Sequence, residues 1–259
     1  MPPEDKPKKE AMRPGVALPR REIIGFATLC LGDCRDIMPG LPASHCVVTD
    51  PPYGIDAAEW DKEIPLWALT LIWDNLVEGG SCYWFGMAPH VWRVALDGRL
   101  NFWRELVWDF GTGYPCPKNY RMQTETVLFM GKGDKPEYFD ADAIREPYAW
   151  RPERPSGRPG RQNPKGKSPG NVFHYPRPAP RHTDESAHPH AKPVAMLERF
   201  VMASCPNGGV VTDPFMGSGS AAVASVRQGR HYFGIERDGK WFDEACRRVD
   251  RATAQGRLF

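Results

Sequence analysis

Apolar and polar stretches divide the 259-residue chain into short buried strands and amphipathic helices. Residues 27–34, ATLCLGDC, and 45–50, HCVVTD, read as buried strands joined through RDIMPGLPAS. Residues 64–80, IPLWALTLIWDNLVEGG, carry apolar side chains at helical spacing and end on glycines, which predicts one helix with a glycine cap. SCYWFG (81–86) is a further apolar run. LNFWRELVWDFG (100–111) and ETVLFMGKG (125–133) are strand candidates. Between them TGYPCPKNYRMQT holds too many turn formers for regular structure. Residues 192–209, KPVAMLERFVMASCPNGG, predict a helix, and residues 210–252 a strand, a glycine-rich turn, a helix, a strand and a helix. Strands alternating with helices predict an α/β fold, with a mostly parallel twisted sheet covered on both faces. Two stretches break the alternation: residues 1–22, expected to be a charged disordered tail, and residues 140–190. One domain over 23–259 is expected, with the second stretch as an irregular insertion.

Composition adds exclusions. No run approaches the roughly 18 apolar residues of a membrane span, and MPPEDKPKKEAMRPG lacks the apolar centre of a secretory signal. A cytoplasmic protein with no membrane partner is expected. The seven cysteines form no C-x-x-C pair and have apolar neighbours, so they read as reduced core residues. CLGDC has no matching second pair, and no metal site is expected there. The net charge of +2 does not by itself announce nucleic acid. Its distribution does more. Residues 151–192 contain nine Lys or Arg against three acids, with nine prolines, so the stretch is loop-like and basic. Arg151, Arg154, Arg158, Arg161, Lys165 and Lys167 recur there every few residues, and phosphates would relieve their mutual repulsion.

VVTDPFMGSGS places Gly217 and Gly219 directly after an apolar strand and before the small-residue helix SAAVASV. Glycine lets backbone N–H groups approach a ligand at a helix N-terminus. Nineteen residues beyond Gly217, Glu236 ends the strand HYFGIE, where nucleotide-binding βαβ units hold a ribose diol. The combination points to a nucleoside-type cofactor. A triphosphate is excluded, because MGSGSAA has no lysine after its last glycine; GRQNPKGKS has five residues between its glycines where a phosphate loop has four. Ala222 stands where a dinucleotide signature has its third glycine, a replacement that the signature tolerates, so this turn alone leaves NAD open.

The other strand end is TDPPYG. Prolines at 51 and 52 stiffen the exit from the strand and remove backbone donors. The Pro51 carbonyl and the Asp50 carboxylate are then two acceptors side by side, and Tyr53 is an aromatic platform. That set suits an exocyclic –NH2 on a planar ring, with an acceptor for each N–H and the ring stacked on Tyr53. Holding both protons pushes the nitrogen toward sp3 and makes it nucleophilic. An ordinary capped turn at Asp50 is the plainer alternative.

TDPPYG and DPFMGSGS together resemble the S-adenosylmethionine-dependent amino-methyltransferases that modify adenine N6 or cytosine N4 in DNA. The catalytic motif precedes the cofactor motif, an order similar to the family's beta group, and the resemblance covers about residues 27–250. It implies a Rossmann-like methyltransferase fold. In LGDCRDIMPGLPASHCVVTDPPYG it implies that Asp33 contacts the cofactor adenine. HPHAKP resembles the short motif before the cofactor strand, with His190 and Ala191 in place of the usual Thr or Gln; it implies that Lys192 and Pro193 lie near the methionine part of the cofactor. Asp213, Phe215, Gly217, Ser218, Gly219 and Ser220 would line the same end, and Glu236 would hold the ribose hydroxyls. Asp50, Pro51, Pro52 and Tyr53 would be the catalytic set, acting on a base flipped out of duplex DNA. Direct displacement at a sulfonium methyl asks for no metal. The Asp-initial motif favours adenine N6, the cytosine N4 enzymes more often beginning with Ser. The beta-group order also implies that 140–190 is the target-recognition region. RNA and protein glutamine are rival acceptors, although the glutamine enzymes usually begin this motif with Asn and place it after the cofactor turn. A DNA-binding module without catalysis is the rival outside enzymes, and both intact motifs argue against it. Dimerisation and a restriction endonuclease partner stay open.

Overall fold

The computed structural model describes residues 20–56, 59, 61–113, 117–148, 163–178 and 191–256. Among them nine strands form one sheet: β1 (Arg20–Ile24), β2 (Ala27–Leu31), β3 (Ser44–Thr49), β4 (Leu76–Gly86), β5 (Asn101–Asp109), β6 (Thr124–Gly131), β7 (Val172–His174), β8 (Val210–Asp213) and β9 (His231–Glu236), in spatial order β1-β2-β9-β8-β3-β4-β6-β5-β7. The central run from β2 to β4 is parallel throughout, as is β5 against β7; β1–β2, β4–β6 and β6–β5 are antiparallel. The expected mostly parallel sheet is therefore present, with an antiparallel pair built into one half.

Period-two alternation sorts the buried strand residues into two cores. Cys46, Val48, Tyr83 and Phe85 face one side, and Val47, Cys82 and Trp84 the other. The first side is covered by α4 (Val194–Ser204), α5 (Ser220–Arg227) and α6 (Gly239–Gly256). In α6 the residues Phe242, Ala245, Val249 and Ala252 recur at three and four positions and form the buried stripe. The second side is covered by α1 (Cys34–Ile37), α2 (Ala68–Asn75) and α3 (Trp92–Asp97). Cys30, Cys34, Cys46, Cys82 and Cys205 are buried and unbridged, in keeping with core cysteines. Of the tryptophans, Trp84 and Trp108 are fully buried, whereas Trp67 is 44% exposed.

Two expectations need correction. The first strand begins at Arg20, inside the stretch expected to be tail, because residues 20–24 pair with 27–31 across a tight turn and Arg20 bonds Asp243 of α6. The helix expected over 64–80 stops at Asn75, and LVEGG opens β4. Asn75 is buried and committed: its Oδ1 accepts from Ser44 Oγ at 2.6 Å and its Nδ2 donates to the Pro42 carbonyl at 3.0 Å. The chain is thereby fixed beside the start of β3. The register then slips from Ser44 opposite Leu76 to Cys46 opposite Ser81, a bulge that Gly79 allows with φ +68°. Apolar spacing alone could not reveal that slip, since the helix and the strand are both buried.

Candidate active site

β3 and β8 are hydrogen-bonded neighbours, with Cys46 opposite Val211 and Val47 opposite Thr212. Their carboxyl ends bring the two glycine- and proline-marked motifs together, 164 positions apart at their closest bond: Thr49 Oγ1 donates to Asp213 Oδ1 at 2.9 Å. This is where an open α/β sheet gathers its ligands.

On the β3 side, Asp50 leaves the strand and Tyr53 turns back toward it. The Tyr53 hydroxyl donates to Asp50 Oδ1 at 2.6 Å and lies 3.1 Å from Glu125 Oε2. Pro51 is buried and Pro52 half-buried. Beyond the prolines, Asp61, itself buried, accepts from the backbone N–H groups of Tyr53, Gly54 (2.8 Å) and Ile55 (3.4 Å), so one carboxylate holds the turn in shape. Lys192, just before α4, enters from the opposite side. Its Nζ stands 2.7 Å from Asp50 Oδ2, 3.2 Å from Glu125 Oε2 and 3.1 Å from the Tyr53 hydroxyl. It also lies over the rings of Tyr53, Phe85 and Trp108, 5.2 to 5.7 Å from their centroids. Burial works against its charge, but the carboxylates of Asp50 and Glu125 outweigh it and the lysine pKa is raised. Burial, with those same carboxylates, also pushes the Tyr53 phenol well up and keeps it protonated.

On the β8 side, Asp213 is buried and accepts from Thr49, from the Phe215 N–H at 3.0 Å and from the Tyr232 hydroxyl at 3.3 Å. Burial, and then the charge of Asp50, raise its pKa to about 7 against those hydrogen bonds. The two glycines of the turn do different work. A Cβ on Gly219 (φ +78°) would come within 2.9 Å of Ala245, so this glycine lets the turn pack on α6. Gly217 (φ +53°) has nothing within 4 Å of a Cβ and opens onto free space. Its N–H donates to Glu236 Oε2 at 2.8 Å, and Glu236 Oε1 accepts from the Asp238 N–H at 2.8 Å, which leaves lone pairs on both oxygens for hydroxyl donors. Ser218 and Ser220 are buried, and their oxygens accept from Arg248. Asp33 caps α1 and is paired with Arg35, which holds its pKa down. It reaches the same rim as Glu236, since Leu31 pairs with Glu236 and the Gly32 N–H donates to the Glu236 carbonyl. An open backbone cradle at Gly217, with an acid at each of two neighbouring strand ends, fits a nucleoside cofactor.

The structure thus brings Asp50, Pro51, Pro52, Tyr53, Lys192 and Pro193 together, and next to them Asp213, Phe215 and the turn from Gly217 to Ser220, with Asp33 and Glu236 at the far rim. Arg151, Arg154, Arg158 and Arg161, with His188 and His190, lie outside the described residues. Lys165 and Lys167 are described and engaged: Lys165 pairs with Asp142 at 2.8 Å and Lys167 with Glu146 at 2.9 Å. Glu125 and Asp61 went unnoticed in the sequence. Glu125 is the single charged residue of β6, an anomaly that could have marked it; Asp61 is one acid in the charged run EWDKE and carries no signal.

Fold and site define a Rossmann-like methyltransferase of the kind that uses S-adenosylmethionine. A family model described as DNA methylase, of the N6/N4 type, matches residues 44–247, and the chain belongs to that family. It is 30% identical over 250 residues to the type II methyltransferase M.ScaI of Streptomyces caespitosus, covering 86% of this chain and 81% of that protein. To the DNA adenine methyltransferase YhdJ of Escherichia coli K12 it is 29% identical over 253 residues, covering 87% and 83%. Among solved structures, the M1.HpyAVI–SAM complex superposes with TM-score 0.64 at 18% identity, over 86% of this chain and 99% of that one. The PvuII DNA methyltransferase, cytosine-N4-specific, superposes with TM-score 0.66 at 15% identity, over 89% and 91%. These two likenesses speak for the fold. The chain is a DNA methyltransferase of the N6/N4 amino-methyltransferase family, with S-adenosylmethionine as its cofactor.

Asp61→Ala would strand the N–H groups of the Tyr53 turn. It should lower methyl transfer by about 100-fold through misplacement while S-adenosylmethionine still binds within a few-fold. Parallel rate and calorimetric binding measurements check this, and unchanged turnover would refute it.

The raised pKa of Asp213 fixes a pH dependence. The stability it contributes is fully present below the ordinary value of 3.8 and is lost as pH rises through about 7. Denaturant unfolding of wild type and Asp213→Asn across that window should show wild type losing ground to the variant as pH rises. A constant difference would refute the assignment.

Proposed function

We propose that this DNA methyltransferase acts on the N6 amine of adenine, with the target base turned out of the duplex. The observation that carries the reading is the placement of the Asp50 carboxylate beside the Tyr53 ring, one strand away from the Asp213–Ser220 turn. An amine buried in base pairing can meet such a set only after leaving the stack. When bound, S-adenosylmethionine supplies a methyl carbon attached to a positively charged sulfur. Asp50 and the Pro51 carbonyl accept the two N–H bonds of the amine and localise its lone pair, and Tyr53 stacks on the base. Asp33 and Glu236 hold the adenosine part of the cofactor. Asp213, Phe215 and the turn, with Lys192 and Pro193 nearby, shape the methionine end. The Asp-initial motif and the likeness to a DNA adenine methyltransferase support adenine over cytosine.

The same reading gives residues 140–190 to recognition of the DNA site, with the arginines at 151, 154, 158 and 161 on phosphates and guanine edges. Lys165 and Lys167 brace the base of this excursion through Asp142 and Glu146, assisted by the bridge between Glu146 and Lys167. Such exposed ion pairs contribute little to stability, so phosphates can still exchange into them.

Asp50→Ala should lower methyl transfer by at least ~100-fold, the cost of a lost transition-state contact in a dry site, with cofactor binding kept. Mass spectrometry of nucleosides from wild-type product DNA should show N6-methyladenine; N4-methylcytosine would overturn the base assignment and leave the mechanism.

Changing Arg151, Arg154, Arg158 and Arg161 together to Gln should flatten the slope of log affinity against log salt by roughly 3 to 4 units. A wild-type slope would move recognition elsewhere, for example to TGYPCPKNYRMQT.

A further inference from the structure

The Lys192 ammonium has three N–H donors and three acceptors at hand: Asp50 Oδ2, Glu125 Oε2 and the Tyr53 hydroxyl. Each oxygen of Asp50 already carries one donor. Its Oδ1 takes the Tyr53 hydroxyl and its Oδ2 takes the lysine. The proposed reaction needs that carboxylate for a different donor, the base amine, which starts neutral and would gain positive charge as its bond to the methyl carbon forms and the carbon–sulfur bond breaks, the electron pair staying on sulfur and the surplus proton passing to solvent. An ammonium 2.7 Å from Asp50 competes for the acceptor and neutralises the charge that should stabilise that nitrogen. The lysine cannot simply retreat to water, because it is almost fully buried, under the rings of Phe85 and Trp108. A second carboxylate is the only kind of neighbour that could keep it charged there.

Glu125 is that neighbour. It comes from β6, far from the DPPY motif in sequence, yet its Oε2 faces both Lys192 Nζ and the Tyr53 hydroxyl. Its other oxygen lies 3.7 Å from Arg177, which itself stacks on Phe110, so the glutamate is held from behind. From this arrangement we infer that Glu125 is a positioning residue, the second seat onto which the Lys192 ammonium shifts when the amine of the target base replaces it on Asp50. The ammonium already touches both seats, so the exchange asks for a small rotation of one side chain and no movement of the backbone. With a base in place, the lysine bound to Glu125 still donates to the Tyr53 hydroxyl and fixes the stacking ring. The inference rests on the reading of Asp50 as the amine acceptor.

The test is a double-mutant comparison on unmethylated genomic DNA, with labelled S-adenosylmethionine, and with the melting temperature and cofactor affinity of every protein measured alongside. Glu125→Gln keeps the shape of the side chain but removes the second seat. It should leave the lysine locked on Asp50 and lower kcat by about 10- to 100-fold, with cofactor affinity unchanged. Adding Lys192→Met to Glu125→Gln removes the trapped ammonium, so at saturating S-adenosylmethionine the double variant should turn over faster than Glu125→Gln by about 5-fold or more, a coupling opposite in sign to two additive losses. A structural counter-ion would behave otherwise: removing both partners would be at least as harmful as removing one. A double variant no faster than Glu125→Gln overturns the inference. If Glu125→Gln does not fold, the charge-balanced double variant decides alone, and activity as low as that of Asp50→Ala overturns the inference. Asp50→Ala separates the two levels of the argument: if it stays active, the amine-acceptor reading itself fails; if it is dead while the double variant is active, both stand.

Discussion

The bond from Thr49 Oγ1 to Asp213 Oδ1 joins the last residue of one central strand to the last residue of its neighbour, and the rest of the site is laid out from it. β3 and β8 run parallel, so their carboxyl ends meet on one edge of the sheet. Everything needed for chemistry on two ligands follows from the turns that leave those ends. One is stiffened by prolines and sets the carboxylate of Asp50 beside the ring of Tyr53. The other is opened by glycines and offers backbone to a cofactor. The sheet supplies the distance between them, which neither turn could set alone. It is rigid because each face is buried under three helices, and side chains as large as Trp84 and Phe85 alternate between the two cores. Burying one such side chain contributes roughly 1.5–3 kcal/mol, so the strand ends are held by far more energy than the bond that marks their junction.

Electrostatics at the junction is a matter of how many carboxylates one buried cation can satisfy. Asp50, Glu125 and Asp213 crowd into a poorly hydrated volume, and Lys192 is the cation placed among them. Asp213 lies beyond its reach and carries the consequence, a pKa pushed up to about 7. Asp50 and Glu125 share the lysine. Removing one partner of a buried pair typically costs about 3–5 kcal/mol, which is why the buried lysine is met by carboxylates on two sides.

Much of this was legible in the sequence because the relevant signals are local. A β-branched run ending on Asp, followed by prolines or glycines, marks a strand end wherever it occurs, and HCVVTDPPYG and VVTDPFMGSGS are both of this kind. What stayed hidden depends on contacts remote in sequence. The end of α2 at Asn75 is set by hydrogen bonds to Ser44 and to the Pro42 carbonyl, not by LVEGG itself. The role of Asp61 rests on three N–H groups of a loop whose shape no pattern announces. Lys192 could be tied to the site by motif, but its partner Glu125 belongs to a hairpin that joins the sheet antiparallel to β4. Only that pairing brings the start of β6 beside the end of β3.

The antiparallel half of the sheet therefore has a chemical consequence. In a wholly parallel sheet every strand would present its carboxyl end at the ligand edge, and acids at strand beginnings would lie on the far side. Reversing β6 between β4 and β5 puts Thr124 and Glu125, the first residues of a strand, at the same edge as Asp50. The parallel return of β7 beside β5 then leads Tyr175 and Arg177 back over the same edge, where Trp108 donates to the Tyr175 carbonyl and Arg177 faces Glu125. Glu125 and Arg177 reach the Tyr53 side of the site by this route, apart from the glycine turn. The strand ends that lead to Asp33, Glu236 and the glycine turn and those that lead to Glu125 and Arg177 thus belong to separate parts of one sheet, meeting at β3 and β4.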